Sequence, residues 1–330
     1  MNSIPGVSII IPVYKVEQNI ERCARSLFDQ TFKDIEYIFI NDCTPDNSIQ
    51  ILEDVIDEYT GIRKQVKIYH HKENLGVAAA RNTGLDKANG EYFLQVDSDD
   101  WAEPTMVEEL YTKAKADDSD MVWSDFYVDF QNTKKAILRK QNVPLDPTSC
   151  IIKILSGSLH AGLWNKLIKR DVCTTKNIHF PEGVNMCEDL AFNVSYLVHA
   201  QRIRYINRAF YHYVQNTNST TIARTRQSFE SEFKVVDILE KTIPHAIYGK
   251  YIMMYKARIK RNIFFSGLFS KDEYLNCFPE STPYIFIGIN RIDKTVIWFT
   301  LKEKFQIAKI VLFFSPLYSR IKQTLGLQDG

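Results

Sequence analysis

Apolar residues follow two spacings along the first part of the chain. Short β-branched runs predict strands, and apolar residues three or four positions apart predict amphipathic helices. The predicted strands are Val7–Val13, Ile35–Ile40, Val66–His70, Glu91–Val96 and Met121–Phe130. The predicted helices are Gln18–Gln30, Asp46–Tyr59, Val77–Ala88 and Pro104–Ala116. Strands that alternate with helices predict an α/β fold with a doubly wound, mainly parallel, Rossmann-like sheet.

The pattern changes twice after this region. Residues 131–148 are polar and rich in lysine, and they include Pro144 and Pro147, which is typical of a connection. Residues 246–330 combine helical spacing with many aromatic side chains. We therefore predict two halves of one domain, residues 1–130 and 131–245, followed by a helical C-terminal region at 246–330.

Composition narrows the class of protein. The formal net charge is +1 over 330 residues, which argues against a nucleic-acid partner. The six cysteines are scattered and form no CxxC pair, which favours a reducing, cytoplasmic location. The start of the chain lacks the pattern of a signal peptide, and no apolar run reaches the ~18–20 residues of a membrane-spanning helix.

A cluster of acids after the fourth predicted strand is the strongest chemical signal. Asp97, Asp99 and Asp100 follow one another closely, and crowded carboxylates raise one another's pKa. A divalent cation such as Mn²⁺ or Mg²⁺ removes this repulsion, and such cations often bind together with substrate phosphates. Open α/β sheets also bind ligands at the carboxyl ends of their strands. A solvated acidic turn is the alternative interpretation.

Three other segments are expected at the same edge of the sheet. Tyr14 follows the first strand, where it can stack on a nucleobase or fill the rim of the core. Asp42 follows the second strand, where it can accept a pyrimidine N–H or stabilise its own turn. Arg81 lies in a helix of small residues after Gly76, where an arginine suits a diphosphate or a network of carboxylates. The sequence contains neither GxGxxG nor GxxxxGK[ST], which argues against dinucleotide and P-loop binding.

Four motifs, taken in order, carry a family resemblance. They are Ile-Pro-Val-Tyr at 11–14, Asn-Asp-Cys-Thr-Pro-Asp-Asn-Ser at 41–48, Asn-Leu-Gly-Val-Ala-Ala-Ala-Arg-Asn at 74–82 and Asp-Ser-Asp-Asp at 97–100. Together they resemble glycosyltransferase family 2, whose members are inverting enzymes with the A-type glycosyltransferase fold, over roughly residues 5–215. The resemblance implies that residues 1–130 bind a nucleotide sugar and residues 131–245 bind the acceptor.

The resemblance also implies roles for individual residues on the donor side. Asp99 is expected to ligate Mn²⁺ or Mg²⁺, with Asp97 touching the ribose or the metal, and Asp100 is expected to lie behind them. The donor-binding residues are expected to be Pro12, Tyr14, Asp42, Arg81, Asp97 and Ser98.

Two later segments resemble the acceptor side of the family. Asp189 matches the catalytic base and Glu188 is its neighbour, although two acids in a first helical turn can simply complement the helix dipole. The segment at 163–167 implies acceptor-binding roles for Trp164, Asn165 and Lys166, and Trp164 fits the core equally well.

Near the end of the chain, Lys302–Lys322 mixes aromatic and basic residues. This mixture is typical of an interfacial helix on an anionic membrane. A helix pair that packs on the catalytic domain or on a partner subunit is the alternative.

These observations predict an inverting, metal-dependent glycosyltransferase. It would transfer a sugar from a nucleotide-diphosphate donor, expected to be uridine-based, to a hydroxyl of a growing surface polysaccharide or lipid-linked oligosaccharide. A non-catalytic scaffold of a glycan assembly complex is one alternative. A nucleotidyltransferase is another, but it would favour a glycine-rich loop after the first strand, and residues 14–18 contain no glycine.

Overall fold

A computed structural model describes residues 4–130, 136–215 and 224–287. Within them, a nine-stranded sheet runs in the order β3-β2-β1-β4-β8-β6-β9-β5, with β7 paired to β6. The strands are β1 Val7–Val13, β2 Ile35–Asn41, β3 Val66–His70, β4 Tyr92–Gln95, β5 Trp101–Ala102, β6 Met121–Phe130, β7 Ala136–Arg139, β8 Lys166–Lys169 and β9 Ile203–Gln215.

Helices cover both faces of this sheet. The α-helices are α1 Ile20–Phe28, α2 Ser48–Glu58, α3 Val77–Lys87, α4 Met106–Ala116, α5 Pro147–Ser156, α6 Arg170–Lys176, α7 Glu188–Leu197, α8 Arg226–Thr242, α9 His245–Ser266 and α10 Lys271–Asn276. Short 3-10 helices span Arg63–Gln65 and Pro279–Tyr284. In the part of the chain described, no helix has both the length and the apolar character that a bilayer span requires.

The first four strands in the sheet, β3, β2, β1 and β4, are all parallel, as the alternation of strands and helices predicts. The short strand β8 then runs antiparallel to both of its neighbours, β4 and β6. Strands β6 and β9 are parallel again. The predicted α/β fold with a helical C-terminal region is confirmed. The pattern did not predict four of the strands, β5, β7, β8 and β9.

The core lies in two layers, one on each face of the sheet. Strand β1 shows how one strand contributes to both: Ile9 and Ile11 face the layer under α1, α2 and α4, whereas Ile10 faces the layer under α3, α7 and α9. Because both faces are covered, the strand is a nearly continuous apolar run, as is typical of buried parallel strands.

Helices α2 and α4 each begin two residues later than the sequence pattern predicts. The helix predicted from Asp46 begins at Ser48, and the Asp46 carboxylate instead accepts hydrogen bonds from the Ser48 backbone and the Thr44 hydroxyl, at 3.2 and 2.7 Å. Pro104 lies before the first turn of α4, which begins at Met106. At α2 a side chain that bonds to the nearby backbone accompanies the boundary, and apolar spacing does not report such a contact.

The packing of α3 on β1 makes a testable prediction at Gly84. A Cβ at this position would lie 2.2 Å from Cγ2 of Ile10, a fully buried side chain. We expect Gly84→Ala to lower the free energy of unfolding by about 1–2 kcal/mol, because overpacking outweighs the helix propensity gained. Urea denaturation measures the change. Gly61→Ala is the control, since a Cβ there meets no atom within 4 Å; equal stabilities of the two variants would contradict the prediction.

Candidate active site

Asp100 anchors the acidic turn between β4 and β5 to strand β9. Its carboxylate is fully buried and accepts hydrogen bonds from the Val214 backbone N–H at 2.7 Å and from the Tyr211 hydroxyl at 2.8 Å. Burial, and then the charges of Asp99 and Asp97, raise the pKa of Asp100 well above its ordinary value. Asp100 therefore lies behind the turn, as expected from the sequence.

Asp99, like Asp97, is a partly exposed acid of the same turn. Its backbone carbonyl accepts from the Asn19 amide at 3.4 Å and from the Arg22 guanidinium at 3.0 Å, which fixes the turn against α1. Burial, followed by the charge of Asp97, raises the pKa of Asp99 to about 6. Within the described residues, no group of three or more His, Cys, Asp or Glu side chains is arranged to hold a metal ion.

A buried arginine joins the acidic turn to helix α7. The Arg81 side chain is 4% exposed, and its Nη2 lies 2.8 Å from Oδ1 of Asp97. Its Nη1 donates to Glu188 at 2.7 Å and also to Asp189. Burial alone would lower the pKa of Arg81, but the three carboxylates raise it above its ordinary value. In the structure, Arg81 therefore lies in a network of carboxylates.

Asp189 occupies the first turn of α7, directly after Glu188. Its side chain is 17% exposed. Burial raises the pKa of Asp189 to about 7; the Arg81 charge opposes this rise, whereas Glu188 and Asp97 add to it. A carboxyl group with a pKa near neutrality can both accept and release a proton under physiological conditions. The role of Asp189 as the catalytic base stays a prediction.

Asp42 holds a turn that leads into α3. The residue is 3% exposed, and its side-chain oxygens accept from the backbone N–H groups of Leu75 and Gly76 at 2.9 and 2.8 Å. His71 adds a contact at 2.7 Å and also reaches the Thr83 hydroxyl at 2.9 Å. The structure uses Asp42 to stabilise the turn, so contact with a base stays a prediction. His71 was not predicted, although it follows the third strand as Asp42 follows the second.

The other predicted donor-binding residues lie near the same edge. Tyr14 is 39% exposed, and the Lys15 ammonium lies 5.1 Å from the centre of its ring. Pro12 is partly exposed near the C-terminal end of β1, and Ser98 is 6% exposed within the acidic turn. Tyr14 is therefore the residue here that presents an aromatic face to solvent.

The three predicted acceptor-binding residues are buried, and their acceptor-binding role stays a prediction. Trp164 is 3% exposed and stacks on Tyr211 with ring centres 4.7 Å apart, so it belongs to the core. The Asn165 amide donates to the Ser124 carbonyl at 2.7 Å, and Lys166 is fully buried. Burial lowers the pKa of Lys166 to about 7, although Asp189 opposes this shift. All three side chains lie in the interior of the protein.

His212, in β9, packs between aromatic rings and pairs with acidic side chains. Its ring lies between Trp101 and Tyr127, with centres at 3.5 and 4.7 Å. Its nitrogens face Asp129 at 3.1 Å and Glu103 at 3.0 Å.

Lys302–Lys322, predicted as a membrane-contacting or packing segment, lies outside the described residues. The division of the chain at residues 130 and 245 stays a prediction.

Comparison with known proteins gives relatives along much of the chain. EpsJ of Bacillus subtilis, an uncharacterized glycosyltransferase, is 35% identical over 66% of this chain and 63% of its own length. The cholesterol galactosyltransferase of Borreliella burgdorferi is 34% identical over 64% of this chain and 61% of its own length. The chain thus spans a little under two thirds of the length of these relatives. YibD of Escherichia coli, an uncharacterized glycosyltransferase, is 31% identical over 77% of this chain and 75% of its own.

A solved structure shows the same fold. The structure of S. aureus TarS 1–349 in complex with UDP-GlcNAc superimposes with a TM-score of 0.70 at 18% identity, and the match covers 94% of this chain and 91% of that one. At this identity the likeness establishes the architecture alone. The model of the family described as Glycosyl transferase family 2 matches residues 8–176, just over half of the chain. On this match and on relatives above 30% identity, the chain belongs to glycosyl transferase family 2.

Proposed function

We propose that this protein is an inverting, metal-dependent glycosyltransferase. It transfers a sugar from a UDP-linked donor to a hydroxyl of a surface polysaccharide or lipid-linked oligosaccharide. The observation that carries this proposal is the Arg81 network, which joins Asp97 of the acidic turn to Asp189, a carboxyl group with a pKa of about 7. Asp97 on the donor side and the proposed general base Asp189 therefore both contact one buried guanidinium group.

The comparisons support this proposal. The curated relatives are named glycosyltransferases, and the TarS structures contain UDP or UDP-GlcNAc. All six cysteines are free, which supports a cytoplasmic location.

Asp189 is the residue proposed to activate the acceptor. Its carboxylate accepts the proton of the acceptor hydroxyl as the oxygen forms a bond to the anomeric carbon. The bond from that carbon to the diphosphate breaks in the same displacement, and its electron pair leaves with the nucleoside diphosphate. Attack opposite the leaving group inverts the anomeric configuration. Arg81 keeps Asp189 in place and opposes the rise in its pKa.

The acidic turn fits a divalent cation that arrives with the donor. Burial and Asp97 disfavour the negative charge of Asp99, so a cation there relieves an existing repulsion. Mg²⁺ is usually held by one or two carboxylates together with substrate phosphates, so a three-residue protein site is not required. Asp99 would hold the ion, with Asp97 beside it, and the bound cation would neutralise charge on the leaving diphosphate.

Donor binding tests the role of Asp99. We expect a panel of UDP-sugars to raise the thermal stability of the protein with Mn²⁺ present, by about 2.7 kcal/mol at a hundredfold excess over Kd. In Asp99→Asn the metal-dependent part should disappear, because the partly exposed carboxylate is lost. Asp54→Asn, at an exposed acid on α2, is the matched control. Equal metal-dependent shifts in Asp99→Asn and in the unaltered protein would refute the metal site.

Transfer kinetics test Asp189. We expect Asp189→Asn to lower kcat by about 10²–10⁴-fold, because an amide cannot accept the proton. Donor Kd, measured by titration, should change little. The base works only when ionised, so the rate of the unaltered protein should rise with pH through about 7. Full turnover in Asp189→Asn would assign the proton transfer to another group.

The pH profile also tests Arg81. Its positive charge lowers the pKa of Asp189, so Arg81→Gln should raise that pKa and move the acidic limb of the rate profile to higher pH. A displacement of about one unit or more is expected for an opposite charge in hydrogen-bond contact. Arg81→Lys keeps the positive charge but loses the forked hydrogen-bond donors of the guanidinium. It should therefore move the acidic limb of the rate profile less. An unmoved limb in a variant that still melts cooperatively would contradict the coupling.

A further inference from the structure

The loop of residues 160–162, called here the 160–162 loop, is held from below by a buried lysine. The Lys166 ammonium donates to the Gly162 carbonyl, to the His160 carbonyl at 3.4 Å and to Oδ1 of Asn165 at 2.9 Å. A buried charge is costly unless hydrogen bonds surround it, so these carbonyls are fixed in place. Two of the predicted acceptor-binding residues therefore support this loop from inside.

His160 is the side chain that the loop exposes. Its ring centre lies 5.0 Å from the buried Trp164, 5.3 Å from Phe126 and 6.4 Å from the partly exposed Tyr213. Gly162 makes this packing possible, because a Cβ there would lie 2.7 Å from Nε1 of Trp164 and 2.9 Å from Cε1 of His160. The imidazole is thus the outermost ring of an aromatic cluster.

Hydrogen bonding defines which nitrogen of His160 carries the proton. Nδ1 accepts from the Gly162 backbone N–H at 2.9 Å, so a neutral ring has its proton on Nε2. Partial burial of the ring, and then the Lys166 charge, lower the pKa of His160 below its ordinary value. At neutral pH the ring therefore offers an aromatic surface together with one N–H donor.

The loop is also fixed relative to the proposed base. The Asn193 amide donates to the Ala161 carbonyl at 2.5 Å and to the Asp189 carbonyl at 2.9 Å. Lys166 and Asp189 each affect the pKa of the other, which places both within one electrostatic environment. One side chain thus links the loop that carries His160 to the turn that carries Asp189.

We propose that His160 is the acceptor-binding platform, on which the apolar face of a pyranose ring stacks while Nε2–H donates to a sugar hydroxyl. The proposal rests on the proposed function, since it needs an acceptor to lie beside Asp189. Aromatic rings with a polar tip suit ligands that combine an apolar face with hydroxyl groups. Binding sites also commonly combine apolar walls with a few placed polar groups.

Binding of simple glycosides tests this platform directly. The probes are methyl β-D-glucopyranoside, methyl β-D-galactopyranoside and methyl N-acetyl-β-D-glucosaminide, measured by saturation-transfer NMR on the full chain. We expect His160→Ala to weaken binding of the preferred probe about five- to tenfold, and His160→Phe, which keeps the stack and loses the donor, to weaken it less. His179→Ala, at an exposed histidine next to Asp86, is the matched control and should bind as the unaltered protein does.

Other results would overturn the platform. No saturation transfer from the unaltered protein to any of the three probes would do so, as would equal transfer from His160→Ala. Thermal melting shows whether each variant is folded. Failure of UDP-sugars to stabilise the unaltered protein counts against the proposed function instead, because that measurement needs no acceptor. The two proposals therefore fail in separate experiments.

Discussion

The buried guanidinium of Arg81 is the interaction on which the candidate site depends. Burying a charge costs several kcal/mol unless partners surround it, and its partners come from the acidic turn and from α7, far apart in the chain. Three carboxylates face one cation, so the cluster keeps an excess of negative charge. That excess contributes to the raised pKa of Asp189. The same interaction therefore assembles the site and sets its proton affinity.

The sequence predicts those strands and helices whose own residues carry a clear apolar pattern. The limits of Val7–Val13, Val66–His70 and Met121–Phe130 agree with the strands observed. Strand β8, Lys166–Lys169, was missed because its apolar run is only two residues long and has a lysine at each end. Its place in the sheet comes from pairing with β4 and β6, which local spacing does not report.

The same distinction holds for the candidate site. The sequence indicates which acids matter, since Asp97, Asp99 and Asp189 lie in recognisable motifs. It does not indicate which side chains face inward. Trp164 suited a sugar face and the core equally, and only the stacked ring of Tyr211 decides for the core. His160 carries no local signal, because its exposure depends on the glycine two residues later and on a lysine beneath it.

Strand β8 has a consequence for how such a protein can diversify. Its register aligns Leu94, Leu167 and Val122 across three strands, and a shift by one residue would move Lys166 to the opposite face of the sheet, away from the 160–162 loop. The strand is therefore constrained from both sides, whereas the 160–162 loop above it is held by side chains, chiefly those of Lys166 and Asn193. Evolution can exchange the exposed side chain of that loop while the sheet stays intact. Under the proposed role of His160, new glycan specificities would then arise by substitution at the rim, without a new fold.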